Sequence, residues 1–341
     1  MKKILVLGGG HQGKIIAKEL APDFEVMVGD IYETVLPNVD PIYLDVTDTE
    51  MLKDEVLGYD LVIGALPSKF GYQAVRAVLE VGVPMIDLSF CPEDLMELNG
   101  LAKKNGTFLI SDCGLAPGLS NLIVGYEFSK REVENIKIMV GGVAKDIDAP
   151  YGYKVSWSVD DLLEEYTRPA RIRIDGENVQ IPTLTNYEVV NIPGVGIMEA
   201  FCTDGLRSLL RIHGPKNLVE KTLRWRGHVD QIKPLIRDGT FVETITRECQ
   251  NGEDLVVMRI EMDDDVIQTV IKASDGISAM SRGTALTTAM TARLVLEDDV
   301  FVNSKGVYFM EDFLPEESMK LLEMLETRAG VAFNWFKKGE E

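Results

Sequence analysis

Six residues near the amino terminus have the types and spacing to receive an anion: Gly8-Gly9-Gly10-His11-Gln12-Gly13, a G-x-G-x-x-G set directly after the apolar run KILVLG and opening the helix-like KIIAKEL. Gly8 permits a tight turn, Gly10 lets the backbone approach a pyrophosphate, and Gly13 allows close packing of helix on strand. The helix start, at His11 and Gln12, offers N–H groups that lack intrahelical partners. A glycine-rich turn of purely structural origin is the rival reading. Asp30 ends the next β-rich run, EVMVGD, about 20 residues on, where a carboxylate accepts hydrogen bonds from both hydroxyls of an adenosine ribose. A 2′-phosphate would meet that charge head on, and the following IYETV holds no arginine or lysine. NAD is therefore expected over NADP. Asp45 suits a place beside the adenine or a turn equally. Ala65, Leu66 and Pro67 follow a fourth apolar run and leave room for the nicotinamide half, although a tight turn also explains them.

These residues need a scaffold, and the chain from Lys3 to Asp112 supplies a regular one. Short apolar runs, KILVLG, EVMVGD, PIYLD, LVIGAL, PMIDLS and TFLISD, alternate with helix-like segments. Runs that are apolar throughout fit strands buried on both faces, so the pattern predicts α/β architecture with a Rossmann-type doubly wound parallel sheet. After Asn121 longer β-rich stretches follow one another: NIKIMVGGVA, ARIRIDGENVQI, EDLVVMRIEM and VIQTVIKA. Asp175-Gly176 suits a tight hairpin, and the acids Asp263 to Asp265 read as a solvated turn. Helices are expected at SWSVDDLLEEY, GLRSLLRI, GHVDQIKPLIRDG and TALTTAMTARLVLE. The second part is thus an α+β domain on a mixed sheet.

A length of 341 residues exceeds one domain of about 150. Thirty-five basic against 55 acidic side chains leave a formal charge of −20, which repels phosphate backbones and anionic headgroups; nucleic-acid and membrane partners are not expected. The four cysteines, Cys91, Cys113, Cys202 and Cys249, have no C-x-x-C spacing, so no metal site is expected and a reducing cytoplasm fits. The amino terminus reads as a strand, with an apolar stretch too short for a signal sequence.

Three further motifs, DCGLAPGLSN at 112–121, YKVSWSVDDLLEEY at 153–166 and TLRWRGH at 222–228, follow the glycine fingerprint in order. Together they resemble the saccharopine dehydrogenase-like family, most of all its branch of NAD-dependent lysine 6-dehydrogenases. The resemblance implies an NAD-binding Rossmann domain over 1–120 and about 275–330, a substrate-binding and dimerisation domain over about 121–274, and a homodimer. The family's G-L-D-P-G stands here as Gly114-Leu115-Ala116-Pro117-Gly118, without its carboxylate. In the Y-K-F-S-W-S-x-R segment Lys154 and Trp157 are kept, but Asp160 replaces an arginine that resembles a carboxylate clamp. That exchange suits a smaller substrate ending in an ammonium; a surface aspartate in a first helical turn is the alternative. Arg224 matches the family's substrate-contacting arginine, where a guanidinium grips an α-carboxylate, with a structural ion pair as the rival. Ser89 and Phe90 match its S-Y pair.

The resemblance implies oxidative deamination of L-lysine at the ε-carbon, NAD accepting the hydride, to 2-aminoadipate 6-semialdehyde and ammonia. The alternatives are a saccharopine or carboxynorspermidine dehydrogenase or reductase, and a non-catalytic NAD-sensing protein. Hydride leaves only carbon that bears a neutral amine, and an ammonium with a pKa of about 10.4 must first lose a proton. Asp112, Asp87 and His228 are the candidate bases, and the sequence does not choose among them.

Overall fold

Strands buried on both faces are what the amino-terminal runs require, and the computed structural model, which describes every residue except 299, 302 and 341, has them. The chain begins β1 (Lys3–Leu7), α1 (His11–Leu20), β2 (Glu25–Asp30), β3 (Asp40–Tyr43), α2 (Thr49–Val56), β4 (Leu61–Gly64), α3 (Ser68–Glu80), β5 (Met85–Asp87), α4 (Asn99–Lys104), β6 (Phe108–Ile110) and α5 (Leu119–Phe128). It continues β7 (Asn135–Ala144), α6 (Val159–Thr167), β8 (Ala170–Ile174), β9 (Glu177–Ile181), β10 (Glu188–Ile192), β11 (Gly196–Cys202), β12 (Asn217–Trp225), α7 (His228–Arg237), α8 (Phe241–Glu248), β13 (Asp254–Met262) and β14 (Asp265–Lys272). It ends α9 (Ala279–Glu297), β15 (Gly306–Tyr308), α10 (Pro315–Thr327) and β16 (Asn334–Lys337). Two compact units result: Met1–Tyr126 with Thr284–Ala329, and Glu127–Gly283 with Gly330–Glu341. The boundaries fall at Tyr126 and Thr284, where the sequence put them near 120 and 275, and the return of the chain to the second unit as β16 has no counterpart in the sequence reading.

The first unit carries a seven-stranded sheet in the order β15-β6-β5-β4-β1-β2-β3, and every pairing in it is parallel. Leu5 and Leu7 join a cluster with Leu52 of α2 and Val75 and Val78 of α3, while Ile4 and Val6, on the opposite face of β1, are equally buried. Strand order reverses at β1, between β4 and β2, and in open parallel sheets such a switch point opens the crevice where ligands bind. The glycine turn follows β1 at that point.

In the second unit the order is β10-β11-β12-β7-β13-β14-β16, with β8 and β9 attached through β12. β12 and β7 run parallel; β11 with β12 and β13 with β7 are antiparallel, so the sheet is mixed. Its strands have two different faces. Leu223, Trp225, Met198 and Ala200 enter an apolar cluster with Met139 and Val257. Phe201, on the other face, packs with Tyr166 of α6, Ile232 of α7 and Ile245 of α8. Asp175-Gly176 makes the two-residue hairpin between β8 and β9.

Two expectations are corrected. The stretch GLRSLLRI forms only a 3-10 turn over Arg207–Arg211: Arg207 stands at φ +52°, outside the helical region, and Gly214 at φ +120° with Pro215 closes the other side. The turn at 263–265 is not simply solvated: the Asp263 carboxylate accepts the backbone N–H of Glu134 and Asn135 and the Asn135 amide. Among the described residues no helix is long and apolar enough to cross a membrane, and no group of three His, Cys, Asp or Glu is placed to hold a metal ion.

Candidate functional site

In the first unit the site is built mostly from backbone. Gly8 has φ +100°, and a side chain there would meet the Ala65 carbonyl; one at Gly13 would collide with the Gly8 carbonyl. Gly10 is different, since a Cβ there meets nothing within 4 Å. It is the N-cap of α1 and supplies no side-chain cap, which leaves open space before a helix start with unpaired N–H groups. His11 is exposed, and the buried Gln12 Oε1 has no hydrogen-bond partner among the described residues. Asp30 accepts the Gly9 N–H at 2.6 Å on one carboxylate oxygen and the Tyr32 N–H at 2.9 Å on the other, and each oxygen retains a lone pair. The turn, the open helix end and the carboxylate fit a dinucleotide. Asp45 is engaged elsewhere: it accepts both the N–H and the hydroxyl of Thr47, bonds that hold its carboxyl below the usual range. Ala65, Leu66 and Pro67 link β4 to α3, with Ala65 N–H donating to Leu7 O.

Asp87 and Asp112 end β5 and follow β6, both buried, and Cys113 N–H donates to Asp87 O. Asp112 adopts φ +54° and Phe90 φ +56°. Ser89 donates its hydroxyl to Asp87 at 2.8 Å and lies so close to Gly71 of α3 that a side chain at that glycine would strike it. All four thiols are reduced and buried. Burial pushes Cys113 up to about 12 and Cys202 and Cys249 up to about 11, which keeps these three unreactive. Gly118, at φ +132°, crosses so near Gly114 that a side chain there would collide with the Gly114 backbone, and one at Gly114 would press on the Pro117 carbonyl at 3.3 Å.

Side chains, not backbone, make the site in the second unit. Glu220, Thr222 and Arg224 alternate along β12 and so share one face, the face that Phe201 places against α6. Arg224 is 3% exposed. Its Nε–H donates to Tyr166 Oη at 2.6 Å, one Nη1–H donates to Leu223 O at 2.9 Å, and Nη2 stands 3.8 Å from Glu165 Oε1. The guanidinium lies 5.3 Å from the Tyr153 ring centre and 5.5 Å from that of Tyr166, a cation–π arrangement. Burial opposes its charge, but Tyr166, Glu165 and Tyr153 outweigh that and hold its pKa above the ordinary value.

His228, proposed from sequence as a base, is a structural link. Its Nδ1 lies 2.7 Å from Tyr151 O and its Nε2 3.0 Å from Tyr166 Oη. The carbonyl can only accept, so Nδ1 carries the proton and Nε2 accepts from the tyrosine hydroxyl. Burial first, and the Arg224 charge second, push the imidazole down to about 3; it is neutral at physiological pH and a weak base. Trp157 donates to Tyr153 Oη at 3.1 Å and so joins the same cluster. Lys154 donates to Gln250 O, outside these bonds. Asp160 is exposed in the first turn of α6 and has no hydrogen bond or ion pair among the described residues.

Comparison with protein families matches residues 4–110 to the saccharopine dehydrogenase NADP binding domain and residues 114–251 to the saccharopine dehydrogenase C-terminal domain. The chain belongs to the saccharopine dehydrogenase-like family. Among the family's characterised members, a saccharopine dehydrogenase (NADP(+), L-glutamate-forming) of Pyricularia oryzae is 30% identical over 212 residues, 58% of this chain and 47% of that one. The mitochondrial alpha-aminoadipic semialdehyde synthase of Bos taurus is 26% identical over 264 residues, 70% of this chain and 28% of that one. The chain therefore matches about half or less of the length of either relative. Apo saccharopine dehydrogenase (L-Glu forming) from Saccharomyces cerevisiae superposes with a TM-score of 0.78 at 18% identity, over 99% of this chain and 100% of that one. Homospermidine synthase from Legionella pneumophila, solved with NAD, gives 0.68 at 12%, over 98% and 91%. At these identities the likeness is one of fold.

Against the family's motifs, the residues that sequence reasoning missed are instructive. Tyr153, Glu165 and Tyr166 lie inside the quoted 153–166 segment, and Thr222 inside 222–228. Counting outward by two from Arg224 along its strand leads to Thr222 and Glu220. Thr203, just past β11, has no sequence signal; only the pairing of β11 with β12 brings it to Glu220.

Proposed function

We propose that this member of the family is a nicotinamide-dependent amino-acid dehydrogenase that oxidises a carbon–nitrogen bond, and that its reaction is the oxidative deamination of L-lysine at the ε-carbon with NAD. The observation that carries the reading is Arg224: a buried guanidinium, fixed through Tyr166 and His228, with Nη2 uncommitted to a hydrogen bond. Such a group is pre-organised to take a substrate carboxylate bidentately. Gly8, Gly10, Gly13 and Asp30 would hold the dinucleotide, which supplies the hydride acceptor. The residues of the chain then have three tasks: Arg224 orients the amino acid, the aromatic wall of Tyr153 and Trp157 excludes water, and a carboxylate removes the ammonium proton.

Lysine is favoured by Ala116, which replaces a carboxylate of the family pattern, and by the absence at position 160 of that pattern's arginine. NAD is favoured by Asp30 and the absence of a basic residue in 31–35. A second reading, NADP-dependent action on saccharopine, is favoured by the names of the relatives. The experiment is to supply purified protein with NAD⁺ or NADP⁺ and, in turn, lysine, saccharopine, ornithine or a polyamine, following reduced nicotinamide by absorbance. Lysine-dependent reduction that prefers NAD⁺ is expected; activity confined to saccharopine with NADP⁺ selects the second reading, and binding of nucleotide without turnover of any amine selects a sensing role. Arg224→Ala should chiefly raise KM; an unchanged KM makes the arginine purely structural.

A further inference from the structure

Two carboxyl groups in the second unit are joined by two hydroxyls. Glu220 Oε2 lies 2.6 Å from Thr203 Oγ1, Thr203 Oγ1 lies 2.8 Å from Thr222 Oγ1, and Thr222 Oγ1 lies 2.6 Å from Glu165 Oε1. Three hydrogen bonds need three protons, and two threonine hydroxyls supply two. The third must sit on a carboxyl. With it on Glu220, each group donates to the next and Glu165 is a carboxylate. With it on Glu165 every bond reverses, and Glu220 carries the charge. Rotation of the hydroxyls and short hops exchange the two arrangements without water.

The ends of this chain are unequal. Glu220 is 4% exposed and receives the Gly205 N–H at 3.2 Å. Glu165, with a side chain 18% exposed, stands beside Arg224. The other charge facing Glu220 is Asp204, itself paired with Arg168 and Arg171; Lys221 points to the opposite side of β12, toward Glu188. Burial, and then the charges of Glu165 and Asp204, push Glu220 up to about 8, against the hydrogen bonds from Thr203 and Gly205. The inner end therefore keeps its proton at neutral pH and releases it in mild alkali.

We propose that Glu165, Thr222, Thr203 and Glu220 form a proton relay, in which Glu165 takes a proton from the substrate's ammonium and the two hydroxyls pass it to Glu220. The inference rests on the amino-acid dehydrogenase reading above. When both carboxyls are ionised the chain is one proton short, and the ammonium's proton completes it. An ammonium and the Glu220 carboxylate become a neutral amine and the Glu220 carboxylic acid; the nitrogen keeps the electron pair of the broken N–H bond, and no bond to carbon changes. After product leaves, the proton returns along the same path to solvent. Glu165 is then the catalytic residue, and Glu220 and the threonines are positioning residues that act through it.

The test has one readout that needs no substrate. Infrared spectra of the wild type should show a buried carboxylic-acid carbonyl band that titrates near pH 8 and is missing from Glu220→Gln. In the amine assay, wild-type kcat should rise with pH through the same range. Glu220→Gln should lose that rise and at least tenfold in kcat at high pH, with KM within twofold. Thr222→Ala should act alike, and Thr222→Ser should bring the rise back, which separates the relay from a folding defect. A wild type without the band overturns the relay whatever the substrate. A band present while Glu220→Gln keeps the wild-type pH profile overturns its part in the reaction and leaves the dehydrogenase reading intact. A band present with no amine oxidised sinks the dehydrogenase reading, and with it the transfer from an ammonium.

Discussion

The two sheets treat their side chains in opposite ways. In β1 both faces are apolar and buried, so the strand contributes to its site only through the turn of glycines at its carboxyl end. In β12 one face, Leu223 and Trp225, enters a core, while the other carries Glu220, Thr222 and Arg224, the side chains of the candidate site. A ligand in the first unit meets backbone, and the requirement on sequence is an absence of side chains at fixed intervals. A ligand in the second unit meets functional groups whose positions depend on strand pairing and on a helix laid across the sheet. The first kind of site tolerates change around it and fails on one added methyl group; the second fails by losing partners.

The sharpest way to break this contrast is Tyr166→Phe. Loss of the hydroxyl strands the buried Arg224 Nε–H and His228 Nε2 together, at a cost of about 2–4 kcal/mol, measured by denaturant unfolding. A loss under about 0.5 kcal/mol, the range of an ordinary surface change, would mean that the guanidinium is not held through this link. Next comes a pair of glycine variants. Gly13→Ala must displace backbone and should cost about 1–3 kcal/mol of stability. Gly10→Ala enters open space and should leave stability within about 0.5 kcal/mol, yet weaken binding of the nicotinamide dinucleotide roughly tenfold, ~1.4 kcal/mol. Equal effects of the two on melting and on nucleotide affinity would remove the distinction between a packing glycine and an approach glycine.

Acid and alkali give a smaller, graded effect. His228 is depressed from 6.5 to about 3, so between those values the unfolded chain binds a proton that the folded one refuses, and stability falls as pH falls. Glu220 is raised from 4.5 to about 8, so between those values the unfolded chain has released a proton that the folded one keeps, and stability falls as pH rises. The two oppose each other from 4.5 to 6.5. From 6.5 to 8 Glu220 acts alone and should lower stability by up to about 1.4 kcal/mol per pH unit. Glu220→Gln should flatten that limb in melting curves; the same slope in both proteins would place the titration on another group. The least effect is expected from Asp160→Asn, which removes one favourable charge from an exposed first turn, about 0.5 kcal/mol or less. A tenfold rise in KM for lysine would return Asp160 to the substrate's surroundings.

This contrast also explains what the sequence made legible. Sterics act over a few residues, so Gly8, Gly10, Gly13 and Asp30 could be placed from spacing alone, and the parallel sheet followed from strands apolar throughout. Arg224 was visible through its motif, but the roles of its neighbours were not. His228 reads as a base until burial and a hydroxyl donor make it neutral, and for Asp160 the sequence leaves a site role and an exposed first helical turn side by side. Thr203 and Glu220 are distant in sequence, and only the β11–β12 register brings them together. The acids at 263–265 carried a turn signal, but nothing local announced that one of them would bind the start of β7.

That last carboxylate has a consequence for assembly of the second sheet. Asp263 closes a two-residue connection between β13 and β14, with φ +54°, and the same side chain clamps the amides that begin β7. One residue thus ties together the end of β13 and the starts of β14 and β7. A slip of one position would turn every side chain of a strand to its opposite face, sending the apolar residues of β7 and β13 toward the wrong layer. Asp263 acts as a registration pin, so the error it guards against is misalignment rather than unfolding.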